Sequence, residues 1–107
     1  GSNVGAEIKL SSIPFSKTAQ LLALDGVVTG ASSRNWSSCE EYVQCFDEMN
    51  AFELDLLTDP QTSGGLLVTC SASAEEAVLE MFHEDGFGCA CRIGCTDSDL
   101  NKIKITP

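Results

Sequence analysis

Near the middle of the chain, residues 57–70 read LTDPQTSGGLLVTC. Pro60 and the pair Gly64-Gly65 interrupt any helix that enters this stretch, because proline lacks a backbone N–H and glycine weakens helices. The five residues that follow, 66–70, form an apolar run of strand length. This run predicts a central β-strand that is buried on both faces, with Leu67 in the core.

Segments with helical periodicity lie on both sides of this run. The apolar positions predict helices over residues 15–24 and 51–57, a helix that follows Ser37 and carries Tyr42 and Phe46 on one face, and a helix that begins at Ser73. Asp25-Gly26 and Asp85-Gly86 have the composition of helix ends, where glycine adopts a left-handed conformation readily.

Alternating polar and apolar residues predict further strands over residues 7–10, 89–95 and 102–105. Helices and strands are mixed along the chain without a repeat, and 107 residues are one domain by length. The fold class predicted from this order is α+β, a small mixed β-sheet with helices packed on one face.

The charge of the chain limits its partners. Sixteen acidic and six basic residues give a formal net charge of -10. Nucleic acids and anionic membranes are bound through clustered Lys and Arg, so neither is an expected partner. No apolar run approaches the roughly 20 residues that cross a bilayer. The chain is therefore expected to be cytoplasmic.

Six cysteines are present, and no two of them form a C-x-x-C pair. Zinc sites usually contain such pairs, so we expect no metal site and predict reduced, buried thiols. The alternating row Cys89, Cys91 and Cys95 is expected to pack in the core. A cysteine-rich binding module in which these thiols hold a metal remains the alternative from another functional class.

The polar part of the central stretch could bind an anion. Asp59 and Pro60 start a turn, Thr62 and Ser63 offer hydroxyl groups, and the glycines at 64 and 65 let backbone N–H groups approach a ligand. Together they could form an anion-binding nest. The alternative is that the segment only connects a helix to a strand.

A second polar segment, residues 30–35, reads GASSRN. Arg34 beside Asn35 could hold a phosphate through its planar guanidinium group. An ordinary ion pair between Arg34 and one of the many acids is the alternative. His83, the only histidine, is expected at the surface near the end of its helix.

The central stretch resembles the D-P-Q-T-S-G-G-L-L segment of selenophosphate synthetases (selenide, water dikinases). The match is ungapped from residue 59 to residue 67. Residues 30–35 are similar to the family's G-G-T-x-R-N loop, and an Arg-Ile-Gly strand at residues 92–94 follows the last long helix, as in the family. The resemblance covers residues 7–96.

This resemblance implies the carboxy-terminal domain of an AIR synthase-related enzyme. Such an enzyme makes selenophosphate from selenide, ATP and water, with AMP and orthophosphate as further products. Mg²⁺ and ATP would be bound by the amino-terminal ATP-binding domain, which is the expected partner, and a homodimer is a further expectation. No residue is assigned as catalytic or as a metal ligand. The residues expected to line the active-site cleft are Arg34, Asn35, Asp59, Gln61, Thr62, Ser63, Gly64 and Gly65.

The chain also departs from the family pattern. Ala31 and Ser32 stand where the family has Gly and Thr, which predicts a different loop geometry because alanine disfavours positive φ. The resemblance implies that the T-D-V-T-G-F-G segment with its metal-binding Asp precedes this chain. Residues 1–3 are interpreted as a tag remnant and disordered start, and residues 4–107 as the domain fragment. Another AIR synthase-related enzyme, or a paralogue without this activity, remains open.

Overall fold

The computed structural model describes residues 4–107, and the expected tag remnant at residues 1–3 lies outside this range. The strands are β1 (Gly5–Lys9), β2 (Val43–Gln44), β3 (Gly94–Asp97) and β4 (Ile103–Thr106). The helices are α1 (Lys17–Leu24), α2 (Ser32–Cys39), α3 (Ala51–Thr58) and α4 (Glu75–Glu84). Short 3₁₀ turns span Leu10–Ser12, Glu40–Tyr42 and Ala72–Ala74. The predicted α+β class with a small mixed sheet is confirmed.

The four strands form one sheet in the order β2-β4-β1-β3. β1 pairs with β3 in antiparallel orientation, with Ile8 opposite Gly94. β1 and β4 are parallel, with Ile8 opposite Ile105, and β2 extends the sheet in parallel beside β4. The two central strands therefore come from opposite ends of the chain, so their pairing must close a loop of nearly the whole chain.

The buried core is small. Only Leu10, Ala23 and Ile105 among the apolar side chains are buried, and Ser32 is the one buried polar residue in the part of the chain that the structure describes. The accessible surface is 7917 Å² for a mass of 11.4 kDa. A folded monomer of this mass is expected to expose about 5,800 Å². The chain thus leaves apolar surface in contact with water.

Three predicted helices and two predicted strands are confirmed with small shifts in their ends. α1 and α4 end at the predicted Asp-Gly pairs, and Gly26 and Gly86 have φ of 76° and 91°. These left-handed conformations close a helix with little strain only at glycine. His83 is exposed in the last turn of α4, as predicted, with its Nε2 atom 2.8 Å from the Ala90 carbonyl oxygen.

The second helix lies earlier than predicted. Residues 30–35 were expected to form a loop and the helix to follow Ser37, whereas α2 begins at Ser32 and ends at Cys39. The residues that follow form a 3₁₀ turn and β2, a strand that the periodicity did not predict. A two-residue strand is too short to show alternation, and its pairing with β4 decides its conformation.

The expectation of a buried central strand at residues 66–70 is wrong. No strand is assigned to these residues, and Leu66, Leu67 and Val68 are 84%, 72% and 49% exposed. The prediction used local composition alone, and a strand also needs a neighbouring strand with free backbone groups. Both edges of β1 are already paired, with β4 on one side and β3 on the other. Residues 66–70 therefore have no place beside this central strand.

The cysteines are less buried than predicted. Cys39 and Cys45 are half-buried, and the other four, including the row Cys89, Cys91 and Cys95, are exposed. The strand expected over residues 89–95 begins only at Gly94, so the alternation of the earlier residues does not place their side chains against the sheet. The prediction that this row of cysteines packs in the core is therefore wrong.

Candidate functional site

The two polar segments meet at one hydrogen bond. The side-chain amide of Asn35 donates to the backbone carbonyl oxygen of Thr58 across 2.8 Å. Asn35 lies in the first turn of α2, and Thr58 is the last residue of α3. The bond satisfies a carbonyl that the end of a helix otherwise leaves without an intrahelical partner. It thus joins residues 30–35 to the start of the stretch 58–65.

The start of α2 is set by a local hydroxyl pair. The backbone N–H of Ser32 donates to the Thr29 carbonyl oxygen at 3.2 Å, and the two side-chain hydroxyl groups lie 3.2 Å apart. Ser32 is 2% exposed, so this pairing satisfies a buried hydroxyl. Ala31 has φ of -88° and ψ of -23°, a right-handed conformation that alanine adopts without strain. A second glycine is not needed at this position.

Arg34 projects from α2 as an exposed residue. Its neighbour Asn35 is held against Thr58, whereas Arg34 makes no ion pair with any residue from 4 to 107. The two ion pairs in that range are Arg92 with Glu75 and Lys104 with Glu7. The structure therefore does not contain the alternative ion pair between Arg34 and an acidic residue of the described chain. Its guanidinium group is accessible to a ligand or to another protein segment.

Residues 59–65 are exposed throughout. Asp59 caps α3 with an extended backbone, φ -59° and ψ 128°. A backbone nest needs a residue in the left-handed region, and neither Gly64 nor Gly65 is among the positive-φ glycines of the described chain. A Cβ on Gly64 would come within 2.8 Å of Gln61 Oε1, and one on Gly65 would meet open space. The segment is open to solvent and is not a preformed nest.

A thiol adjoins this junction that sequence reasoning did not single out. Cys39 Sγ donates to the Asn35 carbonyl oxygen across 3.3 Å, one turn along α2. The sequence signal for this contact is the spacing of four residues between Asn35 and Cys39, which places both residues on one side of a helix. Burial raises the pKa of the Cys45 thiol, and the electrostatic influence of the nearby Cys39 sulfur raises it further. Cys39, the last residue of α2, and Cys45, which directly follows β2, therefore lie close together.

Two cavities of the described chain lie away from the predicted site residues. One, of about 480 Å³, is lined by apolar side chains that include Leu10, Phe15, Phe52 and Leu56. Another, of about 270 Å³, lies beside β4 and Cys45. Among residues 4–107, no three His, Cys, Asp or Glu side chains come together in a way that could hold a metal ion. Nor does that range contain a helix long and apolar enough to cross a membrane.

Comparison with known proteins shows that the chain is similar to several selenide, water dikinases. It is 41% identical over 105 residues to the selenide, water dikinase of Paraburkholderia xenovorans, a match that covers 98% of this chain and 30% of the relative. The corresponding enzyme of Pseudomonas straminea is 40% identical over 105 residues, and that of Burkholderia pseudomallei 44% identical over 94 residues. These matches cover 98% and 88% of this chain, and 29% and 27% of the relatives. No family model matches the chain.

Fold and site together define an α+β domain whose two polar segments meet at the ends of α2 and α3. The chain is homologous to the selenide, water dikinases along nearly its whole length, so the resemblance found in the sequence is confirmed. It spans about 30% of the length of the curated relatives that it matches.

Proposed function

We propose that this chain is the carboxy-terminal part of an enzyme that makes selenophosphate from selenide, ATP and water, with AMP and orthophosphate released. In this proposal the chain forms one wall of the active-site cleft. The identity of about 40% with selenide, water dikinases over nearly all of the chain supports the assignment of the reaction. The hydrogen bond between Asn35 and Thr58 supports the position of the wall.

The proposed wall carries one positive charge among hydroxyl and amide groups. The exposed Arg34 is unpaired within residues 4–107 and would bind a phosphate oxygen through its planar guanidinium group. Asn35 would hold the end of α3, and therefore the start of the following loop, at a constant distance from Arg34. Loop residues in this wall are Asp59, Gln61, Thr62, Ser63, Gly64 and Gly65.

Mg²⁺ and ATP are assigned to the other part of the enzyme. Among residues 4–107, no three potential metal-ligating side chains come together. Phosphoryl transfer needs such a cation and a phosphate cradle. The proposed partner is accordingly an amino-terminal ATP-binding domain of the same enzyme, and no catalytic step is derived for residues of this chain.

A hybrid enzyme tests the proposed wall. Residues 4–107 would replace the matching segment of the Paraburkholderia xenovorans enzyme, and selenophosphate and AMP would be followed by phosphorus NMR. We expect the hybrid to be active and Arg34→Ala to lower kcat/KM by about tenfold or more, the effect of a lost charged hydrogen bond. Arg92→Ala is the matched control, because Arg92 pairs with Glu75 on α4. An equal effect of both substitutions, or none of Arg34→Ala in an active hybrid, would remove Arg34 from the wall.

The isolated chain provides the complementary test. Incubated with ATP, Mg²⁺ and selenide, it is expected to form no AMP or selenophosphate above a protein-free blank, because the proposal assigns nucleotide binding to another domain. Product formation by the purified chain, lost when the chain is removed by ultrafiltration, would contradict that division of labour.

A further inference from the structure

Two of the six free cysteines differ from the others in burial. Cys39 and Cys45 are half-buried, whereas the other four are exposed. Both belong to one short part of the chain, with five residues between them. The proposed function assigns neither thiol a role, so the reason for placing two thiols here lies elsewhere.

A hydrogen-bonded turn brings these two cysteines together. Cys39 is the last residue of α2, and the 3₁₀ turn Glu40–Tyr42 follows it directly. The backbone N–H of Val43 donates to the Glu40 carbonyl oxygen, and a turn closed in this way holds the Cα atoms at its two ends within about 7 Å. Cys45 comes two residues later, directly after β2. The two thiols therefore flank one change of chain direction.

The electrostatics of Cys45 indicate the same proximity. Burial raises the pKa of the Cys45 thiol, and the influence of the Cys39 sulfur raises it further. Influences of this kind act between groups that lie within about 4–6 Å of each other. The two sulfur atoms are therefore within reach of one another through rotation of their side chains, although both cysteines are free in this structure.

Rotation of the Cys39 side chain disturbs little of its surroundings. Its Sγ atom donates to the Asn35 carbonyl oxygen across 3.3 Å, and this bond has to break before the sulfur can turn towards Cys45. A thiol is a weak donor, so the loss is small. The Ser38 hydroxyl donates to the same carbonyl oxygen across 2.7 Å, which leaves that oxygen with a partner.

We propose that Cys39 and Cys45 form a redox-active pair, which a peroxide converts into an intramolecular disulfide. One thiolate attacks a peroxide oxygen and releases hydroxide, which leaves a sulfenic acid on that cysteine. The sulfur of the second cysteine then attacks this sulfenic sulfur, so the S–S bond forms while the S–O bond breaks and water departs. In sum, two thiols and one hydrogen peroxide give one disulfide and two waters. A dithiol reductant reverses the change.

The short separation favours this bond over bonds between copies of the chain. Two groups joined by a short segment meet at an effective concentration in the millimolar range, which exceeds a protein concentration of about 10 µM by roughly a hundredfold. The disulfide would tie the end of α2 to β2, which is an edge strand of the sheet. The pair and its oxidation do not depend on the proposed enzymatic function.

Oxidation of the whole chain at about 10 µM with a small excess of hydrogen peroxide tests the proposal. The remaining free thiols are blocked with iodoacetamide, and the chain is cleaved around both cysteines with trypsin and Glu-C, after Arg34, Glu40, Glu41 and Glu48. We expect the first disulfide to join peptide 35–40 to peptide 42–48. Its mass should lie two hydrogen atoms below the sum of the two reduced peptides, and dithiothreitol should abolish it.

Cys39→Ser and Cys45→Ser should each lower the yield of intramolecular disulfide by about tenfold or more, because the remaining thiol loses its nearby partner. A serine hydroxyl can donate to the Asn35 carbonyl oxygen as the Cys39 thiol does, so far-UV circular dichroism should be unchanged. Cys70→Ser is the matched control, since Cys70 is an exposed cysteine outside the pair, and it should leave the yield unchanged.

Three results would overturn the proposal. The first is an initial disulfide that contains any of the four exposed cysteines. The second is full alkylation of Cys39 and Cys45 after the exposed thiols have been oxidised. The third is an equal loss of the disulfide in Cys70→Ser and Cys39→Ser, which would indicate unselective oxidation.

Discussion

The sheet and the segment 59–70 differ in how their backbones are satisfied. In the sheet, β1 is hydrogen-bonded to β3 on one side and to β4 on the other, and Ile105 is 5% exposed. In the segment, residues 66–70 have comparable apolar character but no strand beside them, and their side chains face water. Apolar composition therefore stabilises a strand in this molecule only where a neighbour completes the hydrogen bonds.

The residues that stabilise the fold are different from those that carry the resemblance to the relatives. Residues 59–67 carry the family resemblance, yet they contribute little to the core. The residues that hold the fold together lie mainly near the two ends of the chain. Exposed loops on a rigid scaffold are where function usually resides, which agrees with a wall role for the exposed segment.

The largest effect is expected at the centre of the sheet. Ile105→Ala removes a side chain that is 5% exposed in β4, and the free energy of unfolding should fall by about 2–5 kcal/mol. A domain of this size has little more stability than that. Urea denaturation followed by circular dichroism measures the change. Ile103→Ala in the same strand is the control, because Ile103 is 39% exposed and should lose clearly less; equal losses would mean that the burial is wrongly placed.

Gly94→Ala is expected to cost about 1–3 kcal/mol through overpacking. A Cβ at this position would collide with the backbone carbonyl oxygen of Glu7 in the paired strand β1, and backbone atoms cannot move aside without breaking the register. Gly88→Ala is the matched control, since a Cβ there would meet no atom within 4 Å. A thermal melt of the two variants compares them. Unchanged stability of Gly94→Ala would argue against the β1–β3 pairing.

Thiol reactivity compares the two regions directly. Cys70 belongs to the exposed segment, whereas Cys45 is half-buried next to β2 and has a raised pKa. A raised pKa lowers the thiolate fraction at a given pH, and the thiolate is the reactive form. At pH 8 we expect iodoacetamide to modify Cys70 about ten times faster, equivalent to about 1.4 kcal/mol in activation free energy. Peptide mass spectrometry after short labelling gives the ratio, which should approach unity in denaturant.

The smallest effect is expected at Leu67. Its side chain is 72% exposed, so Leu67→Ala should change the free energy of unfolding by no more than about 0.5 kcal/mol. A buried central strand would instead predict about 2–5 kcal/mol. The measurement belongs at low micromolar concentration, where association does not add to stability. A loss as large as that of Ile105→Ala would restore the interpretation from composition and remove the contrast between the two regions.

Local signals predicted α1, α3, α4 and the two central strands β1 and β4, because each of these elements rests on neighbouring residues. The Asp-Gly pairs after α1 and α4 end those helices whatever packs on them, since glycine tolerates positive φ. The candidate site was predicted less completely. Arg34 and Asn35 were singled out, but their position on a helix and the bond to Thr58 depend on α2 meeting α3.

By itself the sequence determined the fold class, three helices, the glycine stops after two of them, and the resemblance carried by residues 59–67. Only the tertiary structure decided that β1 and β4 pair in parallel, that β2 joins them, that residues 66–70 face water, and that Asn35 holds Thr58. Helices form from contacts three or four residues apart, which a short window of sequence contains. Strand pairing and burial depend on partners up to about a hundred residues away, and those exist only once the chain has folded.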